Sequence, residues 1–202
     1  MASHYRSSVR GTITSSFLLV FGMLIFGPSE AVSQALSPEA RAAWRLAGAE
    51  VYDSKKANAA EITLRDRPKT PFAKLPAPDG PFVLSLLSRH LTPDDFKELA
   101  RFKTLKELTL RSGHELTVKD GKVPSRPDSD LKGISALAAL PNLHGLRLEA
   151  MNSTEAAFDE IASLKSLKKV DCFAVTLNDT GLTHIGKLPS LEVFHVSGDY
   201  TV

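Results

Sequence analysis

The stretch ISALAALPNLHGLRL at residues 134–148 decides the fold, because the sequence repeats its pattern three more times. The other copies are FKELARFKTLKELTL at 96–110, FDEIASLKSLKKVDC at 158–172 and LTHIGKLPSLEVFHV at 182–196. Successive copies start 38, 24 and 24 residues apart. Self-similarity at a period of this length is typical of chains built from stacked structural units.

Seven positions carry the same class of residue in all four copies, and the fifth of them is always leucine: Leu105, Leu143, Leu167 and Leu191. The first half of each copy has apolar residues at the i, i+3, i+4 spacing of a helix. The second half ends in alternating apolar residues, which are typical of a strand with one buried face. Each copy therefore predicts a helix followed by a strand, with the shared columns in the core.

Capping residues and prolines mark the ends of the predicted helices. Thr92, Thr154 and Asn178 each precede an apolar run and carry a side chain able to cap a helix start. Pro141 and Pro189 follow the helical half of their copies, at a place where proline ends a helix at little cost. The boundaries of the units are therefore readable from the sequence.

The repeat resembles the leucine-rich repeats, and among them the exported bacterial variety with a unit of about 24 residues, T-D-x-G-L-x-x-L-x-x-L-x-x-L-x-x-L-x-L. The best local match runs from Asn178 to Val196, a looser one spans 91–96, and a fainter copy of the strand lies at 84–86. The resemblance covers residues 82–202 and implies an α/β solenoid, with parallel strands on the concave side and helices on the convex side. It implies no activity, because such repeats bind many unrelated partners.

Residues 1–35 have the pattern of a secretory signal peptide. Two arginines precede the uncharged run FLLVFGMLIFG at 17–27, which is shorter than the roughly 20 apolar residues that a membrane-spanning helix needs. Small residues allow cleavage after Ala31 or after Ala35. A cleaved signal predicts a secreted or periplasmic protein. The alternative, an uncleaved signal anchor, predicts a membrane-anchored protein with the repeats outside the cytoplasm.

Residues 36–81 are predicted to form an N-terminal cap followed by a proline-rich loop. Ser37 precedes an alanine-rich helix that Gly48 is placed to end, and a short strand follows at 49–52. A repeat array needs such a cover, because its first unit otherwise exposes its core. Trp44 is predicted to be a core residue of this cap.

Two segments interrupt the repeat pattern. Residues 54–81 contain five prolines and predict a loop with one strand, Glu61 to Leu64. The first two copies are separated by 14 extra residues, in which Asp120 and Gly121 stand between alternating residues and predict a hairpin. Insertions of this kind lie near the binding face or form solvent loops, and the sequence is compatible with both.

Residues at equal positions on parallel strands form rows across one face of a sheet, with about 4.8 Å between strands. The predicted central row holds Ser85, Thr109, Arg147, Asp171 and His195. The flanking rows hold Val83, Glu107, Gly145, Lys169 and Val193 on one side, and Leu87, Arg111, Glu149, Phe173 and Ser197 on the other. This face mixes both signs of charge with a few apolar residues.

The sequence predicts a partner-binding surface on this face. Arg147, Asp171 and His195 are expected to form exposed cross-strand ion pairs, each contributing about 0–1 kcal/mol to stability. Charge reversal at Arg147, Lys169 or Asp171 is therefore expected to weaken partner binding and to leave the melting temperature nearly unchanged. The candidate binding residues are Thr109, Arg111, Arg147, Glu149, Lys169, Asp171, Phe173 and His195.

A remote alternative is a hydrolase or small-ligand site in which Asp171 orients His195 as an acid–base group. No nucleophile lies beside His195 in its row, and an open sheet does not exclude water as catalysis requires. Cys172 falls in a core column and is predicted to be a buried, inert thiol. No phosphate-binding loop or H-E-x-x-H zinc motif occurs, so we expect no enzyme activity, cofactor or metal.

Composition narrows the function classes further. Of 202 residues, 43% are hydrophobic and 24% charged, which excludes a wholly disordered chain. The net charge of +2 is spread along the chain without a basic block, so a nucleic-acid partner has no electrostatic support. A single cysteine excludes an intramolecular disulfide.

The leading interpretation is a non-catalytic binding module with a protein partner, because a repeat array offers a long, curved surface. The alternative is a structural cell-envelope protein held by an uncleaved signal anchor. The chain continues for only six residues after Val196, which predicts an open edge on the last strand. Either the array is a shortened version of a longer one, or this edge pairs with a second copy or with another protein.

Overall fold

Seven strands form one open sheet in the computed structural model, which describes residues 36–54, 58–113, 128–129 and 131–198. The helices are α1 Pro38–Leu46, α2 Pro93–Leu99, α3 Glu155–Ile161 and α4 Asp179–Ile185, with 3-10 turns at Phe72–Lys74, Ser88–His90 and Ile134–Ala139. The strands are β1 Glu50–Ser54, β2 Ala59–Thr63, β3 Phe82–Leu87, β4 Leu105–Arg111, β5 Asp128–Ser129, β6 Gly145–Glu149, β7 Asn152–Ser153, β8 Lys169–Phe173 and β9 Val193–Ser197.

The sheet is almost entirely parallel. Its order is β1-β2-β3-β4-β6-β8-β9, and of its neighbouring pairs only β1 and β2 run antiparallel. The short strands β5 and β7 form a separate parallel pair. The predicted α/β class is therefore confirmed, as a mixed fold with an open, mostly parallel sheet.

The repeat register of the sequence is the strand register of the sheet. Thr109 on β4 pairs with Arg147 on β6, although 38 residues separate them. Arg147 pairs in turn with Asp171 on β8, and Asp171 with His195 on β9. The insertion between the first two copies therefore leaves the alignment of the strands unchanged.

Side-chain caps start the helices as the sequence predicts. The Thr92 hydroxyl accepts a hydrogen bond from the Asp95 amide at 3.3 Å, and the Asp95 carboxylate accepts one from the Thr92 amide at 2.8 Å. The side chains of Thr154 and Asn178 cap α3 and α4 by accepting from the amides of Ala157 and Gly181, without the reciprocal bond. Each cap satisfies an amide that the first helical turn leaves unpaired.

The apolar columns form the core through the first three copies. Leu105, Leu143 and Leu167 are fully buried, whereas the fourth member of this column, Leu191, is only partly buried. The last copy is also open at its first column, where Leu182 is 45% exposed. The other columns buried in the first three copies contain Phe96, Ile134 and Phe158; Leu99, Leu137 and Ile161; Phe102, Leu140 and Leu164; Leu108, Leu146 and Val170; and Leu110, Leu148 and Cys172.

The second copy departs from the expected α-helix, because its helical half is the 3-10 turn Ile134–Ala139. The residue at the N-cap of this turn, Gly133, has no side chain to cap it and adopts the left-handed conformation with φ +89°. Glu160 of α3 takes that role from the next unit. One of its carboxylate oxygens accepts hydrogen bonds from the Gly133 amide at 2.8 Å, the Ser135 amide at 3.2 Å and the Ser135 hydroxyl at 3.0 Å.

The N-terminal cap is built around Trp44, which is fully buried as predicted. Its indole N–H donates to the Pro76 carbonyl at 3.0 Å, and its ring centroid lies 5.7 Å from that of Phe102. Gly48 follows α1 with φ +98°, a conformation that suits glycine at a helix end. The cap is thereby joined directly to the core of the first repeat copy.

The proline-rich segment contributes to the core, whereas the sequence predicts a loop with one strand. Its expected strand is β2, which pairs in parallel with β3. Phe72 and Leu75 are each only 1% exposed and belong to the core. The segment therefore covers part of the core that the repeat units alone leave open.

Several predictions concern parts of the chain outside the described residues. These are the signal peptide or anchor in residues 1–35, the hairpin at Asp120 and Gly121, and the segment 199–202. None of the helices in the described ranges has the length and apolar character needed to cross a membrane.

Leu143→Ala and Leu167→Ala are each expected to lower the free energy of unfolding by about 2–5 kcal/mol, because both side chains are fully buried. Leu46→Ala is the control, since Leu46 is 78% exposed and surface truncations usually change stability by less than about 0.5 kcal/mol. Urea denaturation followed by circular dichroism gives the three values. Equally small losses in all three variants would show that the leucine column is not the core.

Candidate functional site

The strand face is the side of the sheet opposite the buried columns. We define it by the outward residues of the five consecutive parallel strands β3, β4, β6, β8 and β9. The observed register places the three rows as the sequence predicts. All eight candidate binding residues lie on this face, namely Thr109, Arg111, Arg147, Glu149, Lys169, Asp171, Phe173 and His195.

Five charged or titratable side chains on this face form a continuous ionic ladder: Arg111, Glu149, Arg147, Asp171 and His195. Its first half joins β4 to β6, where the Arg111 Nε lies 2.7 Å from one Glu149 oxygen and the Arg147 Nε lies 2.5 Å from the other. Its second half crosses to β8 and β9. The Arg147 Nη1 lies 3.0 Å from Asp171 Oδ2, and His195 Nδ1 lies 3.3 Å from Asp171 Oδ1.

Asp171 is the buried centre of the ladder, and the prediction that it is exposed is wrong. The residue is 7% exposed, whereas the side chains of Arg147 and His195 are 44% and 60% exposed. The two neighbours contact the carboxylate from the strands on either side. A buried carboxylate needs such partners, because burying it without them costs several kcal/mol.

Apolar groups lie among the charges of the strand face. Phe173 is 39% exposed, and the Arg147 guanidinium carbon lies 5.8 Å from the centroid of its ring. At this distance the guanidinium is attracted to the ring electrons. Val193 is 49% exposed at the end of the sheet. The face therefore offers apolar contact area beside charges that are already oriented.

A depression opens beside the ladder, around Gly145 on β6. It is open to solvent, and Glu107, Lys169, Arg147 and Asp171 are among its lining residues. Within the described ranges, the side chains of Glu107 and Lys169 make no hydrogen bond or ion pair. Glu107 and Gly145 fall in one flanking row of the predicted face, and the sequence predicts no role for them. The sequence signal for the depression is a glycine between residues of opposite charge on the two neighbouring strands.

The acid–base alternative has only part of its geometry. His195 lies within 3.3 Å of Asp171, as a base and its orienting carboxylate would. Within the described part of the chain, the His195 side chain makes no other hydrogen bond. The neighbouring Cys172 thiol is fully buried. Burial, together with the charge of Asp171, raises the pKa of Cys172 to about 12, which keeps the thiol protonated at neutral pH.

Among the residues that the structure describes, no three His, Cys, Asp or Glu side chains converge as metal ligands would. No protein-family model, curated protein or solved structure matches the chain. The resemblance to leucine-rich repeats therefore stays a prediction from the repeat pattern.

Asp171→Ala is expected to destabilise the fold by about 1–3 kcal/mol, because it removes a buried acceptor of charged hydrogen bonds from Arg147 and His195. Lys169→Ala, on the same strand and without a described partner, should change stability by less than about 0.5 kcal/mol. Thermal unfolding of the two variants tests the difference. Equal effects would mean that the ladder does not depend on Asp171.

The Cys172 thiol should contribute stability that is fully present below its ordinary pKa of 9.0 and lost as the pH rises towards 12. The reason is that only the unfolded chain ionises the thiol in this window. Urea titrations between pH 8 and 11 should show a steeper loss of stability for the unmodified chain than for Cys172→Val. Rapid reaction of the native chain with Ellman's reagent at pH 8 would contradict the buried placement.

Proposed function

We propose that the chain is a non-catalytic binding module that recognises a protein partner through the strand face of a leucine-rich-repeat solenoid. The observation that carries this proposal is the ionic ladder, which crosses four neighbouring strands and holds its side chains in fixed positions. A charged surface ordered before binding loses less side-chain entropy when a partner docks.

The solenoid part of the proposal is supported by the succession of units. Each copy contributes one strand to the parallel part of the sheet and one helical element beside it. The helical elements contact their neighbours in chain order, α2 with the turn Ile134–Ala139, that turn with α3, and α3 with α4. Contacts between adjacent units, with few between distant ones, are typical of solenoids.

The openness of the strand face favours a protein over a small molecule. Sites for small molecules usually enclose most of the ligand in a concave pocket. The face of this sheet instead combines half-exposed arginines, a partly exposed aromatic ring and a wide, open surface. Arginine and aromatic side chains are enriched where proteins bind proteins.

Two further parts of the proposal rest on the sequence. The short apolar run at 17–27 supports placement outside the cytoplasmic membrane, after cleavage of a signal peptide or on an uncleaved anchor. The exposed His195 supports a non-catalytic role, because nothing in the surrounding open face would exclude water from a reaction there.

A photo-crosslinking residue in place of Phe173 is expected to capture the partner in cells that express the full chain. Arg111→Glu and Lys169→Glu, introduced into that protein, should each reduce the crosslinked product about fivefold or more, because both reverse a charge on the binding face. Lys187→Glu is the matched control on an exposed residue after α4. Lys169→Glu and Lys187→Glu should leave the melting temperature within about 2 °C, as is usual for surface changes, whereas Arg111→Glu places a second carboxylate opposite Glu149 and should lower it somewhat.

The proposal fails if crosslinking is equally strong in Lys169→Glu and in Lys187→Glu. It also fails if a crosslinker on the helix side, in place of Lys97, captures the same partner more efficiently than the one at position 173. Either result would place the binding surface elsewhere on the protein.

A further inference from the structure

Gly145 occupies a position where the backbone does not require glycine. It lies in the middle of the parallel sheet on β6, in the row with Glu107 and Lys169, and its φ is not in the left-handed region. Gly145 is the first residue of β6, and glycine has no side chain to pack against the neighbouring strands. Glycine at this position therefore leaves an open space where any other residue would place a side chain.

That space is shaped by Glu107. A Cβ added to Gly145 would lie 2.7 Å from Glu107 Cγ and 3.2 Å from its carboxyl carbon. The side chain of Glu107 thus extends over Gly145, from β4 towards β8. Lys169 on β8 faces it across the same glycine, but the two charges are too far apart to form an ion pair.

Compared with the ionic ladder, the row of Glu107, Gly145 and Lys169 lacks a charged side chain on β6. In the ladder, Glu149 on β6 supplies the carboxylate that contacts Arg111 on β4 and Arg147 beside it. In the neighbouring row the β6 position is Gly145, and the Cα atoms of Glu107 and Lys169 are separated by two strand spacings, about 10 Å. No group of the described chain bridges these two charges.

We infer that the depression around Gly145 receives two oppositely charged side chains of the partner protein, a cation that pairs with Glu107 and an anion that pairs with Lys169. This inference rests on the proposed function and names the chemistry of the segment that binds. The four charged lining residues Glu107, Asp171, Arg147 and Lys169 sum to zero formal charge, so they favour a segment of both signs over a purely acidic or basic one.

The shape of the depression favours a protein segment as its occupant. It is open to solvent, and a free amino acid placed there would keep much of its surface in water. In an extended peptide, residues i and i+2 point to the same side and lie about 7 Å apart. A lysine and a glutamate at such positions have side chains long enough to contact Glu107 and Lys169, whose strands lie two strand spacings apart.

The probe is the peptide acetyl-Ala-Lys-Ala-Glu-Ala-amide, titrated into the ¹⁵N-labelled full chain at low salt. We expect chemical-shift changes centred on the amides of Gly145 and its strand neighbours, with half-saturation at tens of millimolar, as befits two exposed ion pairs. Peptides with glutamine in place of the lysine or of the glutamate should each bind about threefold or more weakly. Equal binding of all three peptides would overturn the inference.

Matched variants assign each contact. Glu107→Gln should remove the advantage that the peptide gains from its lysine and keep the advantage from its glutamate, and Lys169→Gln should do the reverse. Gly145→Ala should weaken binding of the peptide about threefold or more while its melting temperature stays within about 2 °C of that of the unchanged protein, because the alanine methyl group enters the depression and displaces the Glu107 side chain. Undiminished peptide binding in Gly145→Ala, or in both glutamine variants, would contradict the inference.

The crosslinked partner separates this inference from the proposed function. If crosslinking through position 173 persists undiminished in Gly145→Ala, the strand face binds its partner without the depression, and only the inference fails. If the peptide binds at Gly145 as described but Lys169→Glu and Arg111→Glu leave crosslinking unchanged, the proposed function fails and the depression stands as an isolated site.

Discussion

The burial of every second side chain of the parallel strands is the constraint on which the rest of the structure depends. The alternate side chains of β4, β6 and β8 are at most 1% exposed, namely Leu108 and Leu110, Leu146 and Leu148, and Val170 and Cys172. A shift of one residue in any strand would expose its leucines and bury its charges. The same register that fills the core therefore sets the positions of the charged rows, and the strand face needs no interaction of its own to be aligned.

The ionic ladder adds order to this face more than it adds stability. Its outer members are half-exposed, and exposed ion pairs contribute little to the free energy of folding. Asp171 is different, because its burial requires Arg147 and His195 to stay in place. A single buried carboxylate thus holds two solvent-facing side chains, one on each neighbouring strand, in defined orientations.

Much of this arrangement could be predicted from the sequence, because it follows from a period. The strands, their register, the helix caps and the rows of the face are local patterns repeated at fixed steps. The 3-10 turn of the second copy was not predictable, since the group that satisfies its first amides, Glu160, comes from the following unit. The burial of Asp171 was missed for the same reason, because two other strands produce it.

The proline-rich segment and the depression show a second limit. Prolines and polar residues indicate a loop, yet Phe72 and Leu75 within it are buried against the core. The sequence around Phe72 and Leu75 does not identify them as the loop residues that pack against the core. The space above Gly145 likewise depends on where the side chain of Glu107 extends, which a sequence pattern does not contain.

The three hydrogen bonds to Glu160 have a consequence for how such a chain can evolve. They attach the irregular second unit to the third, while the pairing of β4 with β6 fixes its strand. The strands β4 and β6 therefore pair in register although the sequence carries 14 extra residues between the first two copies. Because the entropy of closing a loop rises only slowly with its length, a change in the number of these extra residues, ahead of the 3-10 turn, should have little effect on the units at either end. New sequence can be acquired between the first two copies while the rows of the strand face keep their register.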